Sequence, residues 1–309
     1  MGREREEVGM PRTLRSSGSP ALAWFWSEYF VLVLAGVYLL ALAPFTPGFT
    51  DSSNFLNLLS TLLPLFIVAV GQTVVLITGG IDLSVTSIMA LCSISGAAVM
   101  NGDNGWLADH PLAVPAGIGT MLLVGASVGT LNGLAIWLTR SRNIGNLPAA
   151  FNQIGGSTWF ALPLVTLLAV AAHGMLSRSL WGRWIYAVGQ NPAAARISGV
   201  PVSGTAISAY VVSGLLAAVA SVLYTGQAES ASPILAQRLL LDIVGATVIG
   251  GTSLFGGKGK ILWTLFGVLF LKLIDNSLNL LDLSYFSIMM VKGGVILLAA
   301  LLDALRNRK

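Results

Sequence analysis

Charged residues are scarce in this chain. Asp, Glu, Lys and Arg make up 10% of its 309 residues, against about 25% in soluble globular domains. Hydrophobic residues make up 55%, and the mean hydropathy is +0.80. So few charges cannot cover the surface of a globular domain, which excludes a soluble protein. The formal net charge of +4 does not indicate nucleic-acid binding, because the basic residues gather at the ends of apolar segments, where membrane topology accounts for them.

Residues that carry enzyme chemistry are also few. The single cysteine, Cys92, lies inside an apolar segment, which excludes a disulfide framework and a thiolate metal site. Neither His110 nor His173 has a second His, Cys or carboxylate at metal-ligand spacing. The stretch GTSLFGGKGK (251–260) approaches a phosphate-binding loop, but Gly257 stands where that motif requires lysine. We therefore expect no catalytic residue, no metal, no cofactor and no ATP binding by this chain itself.

Long apolar stretches are abundant instead. A membrane-spanning helix takes about 20 mostly apolar residues, and the alternation of a membrane β-barrel is absent. The sequence predicts an all-α, polytopic transmembrane helical bundle with about nine hydrophobic segments. We expect residues 1–20 to form a disordered cytoplasmic tail and residues 21–309 a single membrane domain. The nine segments are 24–43, 56–78, 83–101, 112–138, 159–176, 203–225, 239–252, 261–281 and 285–303.

Lysine and arginine predict the orientation, because they collect in cytoplasmic loops. Basic residues near both ends of the chain place the N-terminus and the C-terminus in the cytoplasm. The loops 101–111 and 227–233 contain no Lys or Arg, so they belong outside. Three internal loops are expected in the cytoplasm from their basic residues: Arg140 with Arg142, Arg178 with Arg183 and Arg196, and Lys258 with Lys260.

The number of crossings conflicts with that orientation. Two cytoplasmic termini require an even number of crossings, and the sequence shows nine segments. Either 239–252, at about fourteen residues, is too short to cross, or a span is missing near residue 143. The first solution would place Arg178, Arg183 and Arg196 outside, against the tendency of basic loops to be cytoplasmic, so the second is preferred.

A glycine pair separates the second and third segments in TGGIDLSVTS, Thr78–Ser87. Glycines break a helix, and Asp82 is placed to cap the helix that follows. Two interpretations stay open: a tight turn with a capping aspartate, or a broken helix beside a transport pathway. The stretch VIGGTSLFGGKGK, Val248–Lys260, echoes this pattern at the same end of its own segment. The echo is a weak indication of an internal repeat.

The segment 183–200, RWIYAVGQNPAAARISGV, is a polar loop rich in small residues between two apolar segments. Asn191 followed by Pro192 predicts a helix start, the three alanines continue it, and Gly199 ends it. The short helix would have a flat surface from which Arg196 projects. It is either a docking element for a soluble partner or an ordinary connector.

Charges within the segments form another candidate site. Lys272 and Asp275 stand three residues apart, so they can pair on one helix face. Ionisable groups at membrane depth are costly and usually face the bundle interior. A structural ion pair and a proton relay both fit. Asp242 and Lys292 lie nearer to segment ends, and we expect them to reach the membrane interface.

Taken together and in this order, these features resemble the permease subunits of bacterial ABC importers for simple sugars, of the ribose, xylose and arabinose type. TGGIDLSVTS resembles the signature after the family's second span, and RWIYAVGQNPAAARISGV resembles its cytoplasmic coupling loop. The stretches LLLDIVGATVIGGTSLFGGKGKILWTLFGVLF and VKGGVILLAALLDALR resemble its C-terminal third. The resemblance covers most of the chain. It implies a multi-pass protein of the bacterial inner (plasma) membrane that forms a translocation pathway and catalyses no reaction.

The resemblance also implies partners. An ATP-binding-cassette ATPase subunit would dock on the coupling loop, and a periplasmic sugar-binding protein would deliver the substrate. A second permease chain, identical or related, would complete the pathway within the lipid. Carried onto this sequence, the coupling helix would include Gly189, Asn191, Ala194, Arg196 and Gly199. The signature turn would include Gly79, Gly80, Asp82 and Ser84, and the C-terminal third contains a second glycine turn at Gly250, Gly251, Gly256 and Gly257.

The chain departs from that family after Asn132-Gly133-Leu134. Family members continue there with a further span and an outside loop, whereas TRSRN runs here into LPAAFNQIGG, which resembles the far end of that loop. About one span is absent at the place where the number of crossings fails. Three functions are therefore considered: a sugar ABC importer permease, a degenerate permease that no longer transports, and a secondary transporter using Lys272 and Asp275 as an ion relay.

Overall fold

The computed structural model describes residues 29–108, 110–127, 143–234, 236 and 238–306. Within these ranges the chain forms twelve α-helices, and extended pairing is limited to an isolated bridge between Ile144 and Ala231. The helices are α1 (Phe30–Leu42), α2 (Ser52–Ile77), α3 (Val85–Met100), α4 (Ala113–Ser127), α5 (Ala149–Gly156), α6 (Thr158–Arg178), α7 (Leu180–Gln190), α8 (Pro192–Ile197), α9 (Val202–Gln227), α10 (Leu240–Ile249), α11 (Ile261–Leu280) and α12 (Tyr285–Arg306).

The predicted all-α bundle is confirmed. Each of the nine predicted segments contains one apolar helix, and α2, α6, α9 and α11 are long and apolar enough to cross a membrane. Helix α4 is described as far as Ser127, so the remainder of the predicted 112–138 helix lies outside the described residues. The predicted tail 1–20 and the first residues of segment 24–43 lie outside them too.

Helices α2 and α9 form the centre of the bundle. Helix α2 is buried without interruption from Leu62 to Ile77, and α9 packs against α2, α3, α4 and α5. Small residues allow close approach, since Gly71 of α2 lies against the backbone of Ser213 in α9. Contacts of this kind are usual between membrane helices, where backbones meet at glycine, alanine and serine.

The two ends of the bundle differ in composition. One end, named here the glycine end, contains the last residue of α2, the end of α7 and the turn 250–257. Gly257 donates its backbone N–H to the carbonyl oxygen of Ile77 at 2.8 Å, and Gly189 of α7 lies against the same oxygen. The turn after α2 and the turn after α10 therefore meet at one end of the bundle.

The opposite end contains the loop after α3 and the segment 143–146. Gly102 donates its backbone N–H to the carbonyl of Asn146 at 3.0 Å, and the Asn101 amide donates to the carbonyl of Gly145 at 2.5 Å. Ile144 pairs with Ala231, which follows the end of α9. Residues 143–146 therefore share a side with the loop 101–111, which is predicted to face the exterior. Arg140 and Arg142, which predict a cytoplasmic loop, are not among the described residues.

The described part of α4 ends at Ser127. A Cβ on Gly125 would lie 2.6 Å from Ala218, near the middle of α9, so this part of α4 ends about half-way through the bundle. Residues 128–142 are not among the described residues, so the missing span near residue 143 stays a prediction.

Candidate functional site: the glycine end

Three sequence features that are far apart in the chain meet at the glycine end. A Cβ on Gly189 would overlap the carbonyl oxygen of Ile77 and would lie 2.6 Å from the backbone nitrogen of Gly257. Gly256 has a φ of +85°, and a Cβ there would lie 2.8 Å from both the carbonyl oxygen of Gly189 and the Cα of Gly79. Glycine alone fits such positions without strain. We name the contact of these five residues the glycine joint.

A side-chain hydrogen bond strengthens the glycine joint. The hydroxyl of Tyr186, on α7, donates to the carbonyl oxygen of Gly259 at 2.7 Å. Burial raises the pKa of Tyr186 above its usual value, so the hydroxyl stays protonated and remains a donor at neutral pH. Helix α7 is thus fastened to the second glycine turn through both a side chain and the backbone.

The segment 183–200 is helical over most of its length, so the expectation of a polar loop is wrong. Helix α7 covers Leu180–Gln190, and its N-cap Ser179 accepts a hydrogen bond from the backbone of Gly182 at 3.0 Å. Ile185 and Val188 are buried while Arg183 is exposed. The polar residues therefore belong to the exposed face of an amphipathic helix.

The predicted short helix is confirmed as α8. The Asn191 side-chain oxygen accepts from the backbone N–H groups of Ala193 and Ala194, both at 3.0 Å, and Pro192 occupies the first helical position. Gly199, with a φ of +82°, follows the C-cap and ends the helix. Helix α8 packs against α7 and the start of α9, and all of its residues except the buried Ala195 are exposed.

The signature turn holds a buried carboxylate. Asp82 is 2% exposed. One of its oxygens accepts from the backbone N–H of Ser84 at 3.0 Å and from the hydroxyl of Ser84 at 2.5 Å, and the other accepts from the hydroxyl of Ser213 in α9 at 3.0 Å. Helix α3 begins at Val85, and near this start the Asp82 carboxylate bonds only to Ser84. The prediction that Asp82 caps the first N–H groups of this helix is therefore wrong. The side-chain amide nitrogen of Gln72 donates to the backbone carbonyl of Asp82, and its oxygen accepts from the backbone N–H of Asp82, both at 3.2 Å.

The remaining glycines of the two turns also lie at close contacts. A Cβ on Gly80 would lie 2.7 Å from the hydroxyl of Tyr210, and one on Gly250 would overlap the carbonyl of Trp263. Gly251 has a φ of +95°. These residues pack the turns onto α9 and α11, next to the glycine joint.

Sequence reasoning missed three residues of this end. Gln72 and Ser213 bind Asp82 from two central helices, and their role depends on contacts that no local pattern reveals. Ile197 is 89% exposed at the end of α8. A local signal for Ile197 exists, because it stands three and four residues after two alanines and therefore shares their face.

A second polar feature, the charge cluster, lies among α10, α11 and α12. Lys292 places its Nζ 2.9 Å from Oδ2 of Asp242 and 3.2 Å from Oδ1 of Asp275. Lys272 lies 4.0 Å from Oδ2 of Asp275, so the predicted pair forms at a long distance. The expectation that Asp242 and Lys292 reach the interface is wrong: they are 6% and 4% exposed, because α12 packs over the start of α10.

The chain is similar to known permease components along most of its length. A family model described as "Branched-chain amino acid transport system / permease component" matches residues 54–146 and 141–301. The ribose import permease protein RbsC of Bacillus subtilis (strain 168) is 36% identical, over 83% of this chain and 86% of that protein. The L-arabinose transport system permease protein AraH of Escherichia coli (strain K12) is 31% identical, over 94% of this chain and 96% of its own length. No solved structure matches.

The alignments contain positions with no residue in this chain. The alignment with the Bacillus subtilis permease runs over 283 positions but takes in 83% of this chain, about 256 residues, which leaves about 27 positions unmatched. The alignment with the arabinose permease runs over 320 positions and takes in 94%, about 290 residues, which leaves about 30. The two matches to the family model meet at residues 141–146, next to the point where the sequence departs from the resemblance.

Proposed function

Because the chain belongs to the family of transport-system permease components, we propose that it is the pathway-forming subunit of an ABC importer for a monosaccharide or a similar small polar solute. The proposal draws on relatives named for ribose and arabinose, at 31–36% identity over most of the chain. The description of the family model names branched-chain amino acids, so membership alone does not determine the substrate. The named relatives favour a sugar.

The observation that carries the proposal is the glycine joint beneath an exposed helix. Helix α8 projects at the glycine end, and α7 connects it to Ile77 and to the second glycine turn through backbone contacts. A force applied to α8 is passed to α2 and to the turn before α11, because no flexible side chain separates the backbones. A separate ATPase that binds α8 can therefore move the central helices. Gly189, Asn191, Ala194, Arg196 and Gly199 form the coupling segment.

The signature turn has a complementary role in the proposal. Asp82, with Gly79, Gly80 and Ser84, holds the start of α3 to α9 through the hydroxyl of Ser213. Movement at the glycine joint thus reaches α3 and α9 together. The second glycine turn, from Gly250 to Gly257, passes the same movement to α11.

The proposed orientation follows from these roles. The glycine end faces the cytoplasm of a bacterial cell, where an ATP-binding-cassette ATPase subunit reaches α8, and both termini lie on that side. The opposite end receives substrate from a periplasmic sugar-binding protein. A second permease chain, identical or related, completes the pathway in the inner membrane. ATP hydrolysis takes place on the partner.

The test is uptake of radiolabelled ribose and arabinose by cells that express the chain with its genomically associated ATPase and binding protein. ATP-dependent uptake that survives a protonophore supports the proposal, and Gly189→Ala should abolish it. Uptake that stops with the protonophore while cellular ATP is intact would instead identify a secondary transporter that uses the charge cluster.

A second candidate is a permease that has lost transport. The observation in its favour is the set of about 27 to 30 alignment positions that have no residue in this chain, together with the two family-model matches that meet at residues 141–146. Replacing residues 128–142 by the corresponding region of the Bacillus subtilis ribose permease separates the two candidates. Uptake by the chimera alone indicates a degenerate permease, and uptake by the unaltered chain rejects that candidate.

A further inference from the structure

The glycine end has an exposed apolar surface that packing within the chain does not account for. Ala193, Ala194 and Ile197 are spaced so that they share one face of α8, and Ile197 is 89% exposed. Ala195 points to the other side and is 5% exposed, which anchors α8 against the bundle. The exposed face consequently has two small residues followed by one large apolar side chain.

A second exposed apolar side chain lies beside the glycine joint. Phe255 is 66% exposed, and the next residue, Gly256, contacts Gly189 of α7. Internal hydrogen bonds hold the turn that carries Phe255. The backbone N–H of Phe255 donates to the hydroxyl of Ser253 at 3.2 Å, and the backbone N–H of Ser253 donates to the carbonyl of Lys258 at 3.0 Å. An aromatic ring on a rigid turn loses little conformational entropy when it binds, which is typical of interface hot spots.

The segments that carry both side chains are basic. The described charged residues between positions 178 and 200 and between positions 250 and 260 are Arg178, Arg183, Arg196, Lys258 and Lys260. Such basic segments steer an acidic partner surface towards the apolar side chains.

We propose that Ile197 and Phe255 are the two apolar anchors of the docking surface for the ATPase, one on the helix that follows Gly189 and the other on the turn that contains Gly256. This inference rests on the proposed function and adds to it the second glycine turn as a direct contact. The partner surface should have two apolar pockets, one for the end of α8 and one for the Phe255 ring, with carboxylates around them. When the ATPase is docked at both anchors, its movement would be transmitted directly to the two backbone segments that meet at Gly189 and Gly256.

The test uses the full chain, affinity-tagged and extracted in detergent from cells that express it with its genomically associated partners. ATP-binding polypeptides that co-purify are identified by photolabelling with 8-azido-ATP. Ile197→Ala and Phe255→Ala should each reduce the retained label at least about tenfold, as truncation of an interface hot spot does. The matched control is Ile207→Ala, which removes the same atoms from a position on α9 that is 65% exposed and should retain the label of the unaltered chain.

The outcomes separate the inference from the proposed function. If the unaltered chain retains no labelled polypeptide, the proposed function fails. If it retains one and either anchor variant retains as much, the inference is overturned while the proposed function stands. Equal retention combined with weaker binding of the variants to anionic lipid vesicles would assign the surface to the membrane and would also overturn it. Thermal unfolding in detergent checks that each variant is folded, and Phe255→Leu should keep most of the label.

Discussion

Gly257 donates its backbone N–H to the carbonyl oxygen of Ile77 across 2.8 Å, and so joins two turns that lie 180 residues apart in the chain. This backbone contact leaves no room for a side chain at position 189, which explains why Gly189 of α7 fits against the same carbonyl and a larger residue does not. The mechanical connection between α7 and α2 therefore depends on the absence of a single methyl group.

Gly189→Ala should disrupt that connection. Its Cβ would overlap the backbone of Ile77, so α7 must shift, at a cost of about 1–3 kcal/mol for a forced contact in a packed site. We expect a lower unfolding temperature in detergent and a loss of ATP-dependent uptake. The control is Gly174→Ala on α6, where a Cβ meets nothing within 4 Å. It should keep uptake and stabilise the helix by up to about 1 kcal/mol. Equal behaviour of the two variants would contradict a role for the glycine joint.

Asn191→Ala should loosen α8. The Asn191 side chain satisfies two backbone N–H groups of α8, and loss of an N-cap of this kind costs about 1 kcal/mol. A helix of six residues has little else to hold it, so trypsin should cleave after Arg196 about fivefold faster in the variant. Gln190→Ala, one residue earlier, is the control and should be cleaved at the original rate. An unchanged rate for Asn191→Ala would show that packing of Ala195 alone maintains the helix.

Much of the fold could be predicted from the sequence, because the dominant signal is local. An apolar stretch of sufficient length has to be helical in lipid, and each of the nine predicted segments contains an apolar helix. The start of α8 was predictable for the same reason, since Asn191 and Pro192 act on the residues that follow them directly. The family also followed from motifs that are contiguous in the chain.

The errors arise where the decisive contact is distant in the chain. Helix α7 was missed because polar and small residues lie between Ile185 and Val188, so the sequence shows no clear apolar face. The two residues form that face only through their burial against other helices. Asp242 and Lys292 are 50 residues apart, and their burial depends on how α12 packs over α10. The three glycine features were each identified, but their meeting at one point is a tertiary property.

The charge cluster should tolerate removal of the whole pair better than removal of one partner. Lys292→Met leaves the carboxylate of Asp242 buried without its 2.9 Å partner, which typically costs about 3–5 kcal/mol. The double variant Asp242→Leu/Lys292→Met should recover most of the lost stability, as a double-mutant cycle of thermal unfolding in detergent would measure. Lys272→Met is the comparison: its partner Asp275 is 4.0 Å away and keeps Lys292, so a smaller loss is expected. If the losses caused by Asp242→Leu alone and by Lys292→Met alone add up in the double variant, the two residues do not interact as a pair.

The two ends of the bundle should be accessible from opposite sides of the membrane. Asn143 and Ser198 are both exposed, and they lie at the opposite end and the glycine end respectively. In a Cys92→Ser background, Asn143→Cys should react with an impermeant thiol reagent in intact cells, and Ser198→Cys only after permeabilisation. Cys92 itself is buried and bonds the carbonyl of Met121, so its removal serves to exclude residual labelling. Labelling of Asn143→Cys only after permeabilisation would restore the cytoplasmic loop that Arg140 and Arg142 suggest. Labelling of Ser198→Cys in intact cells would place α8 beyond the reach of any ATPase and would leave a family member without a transport function.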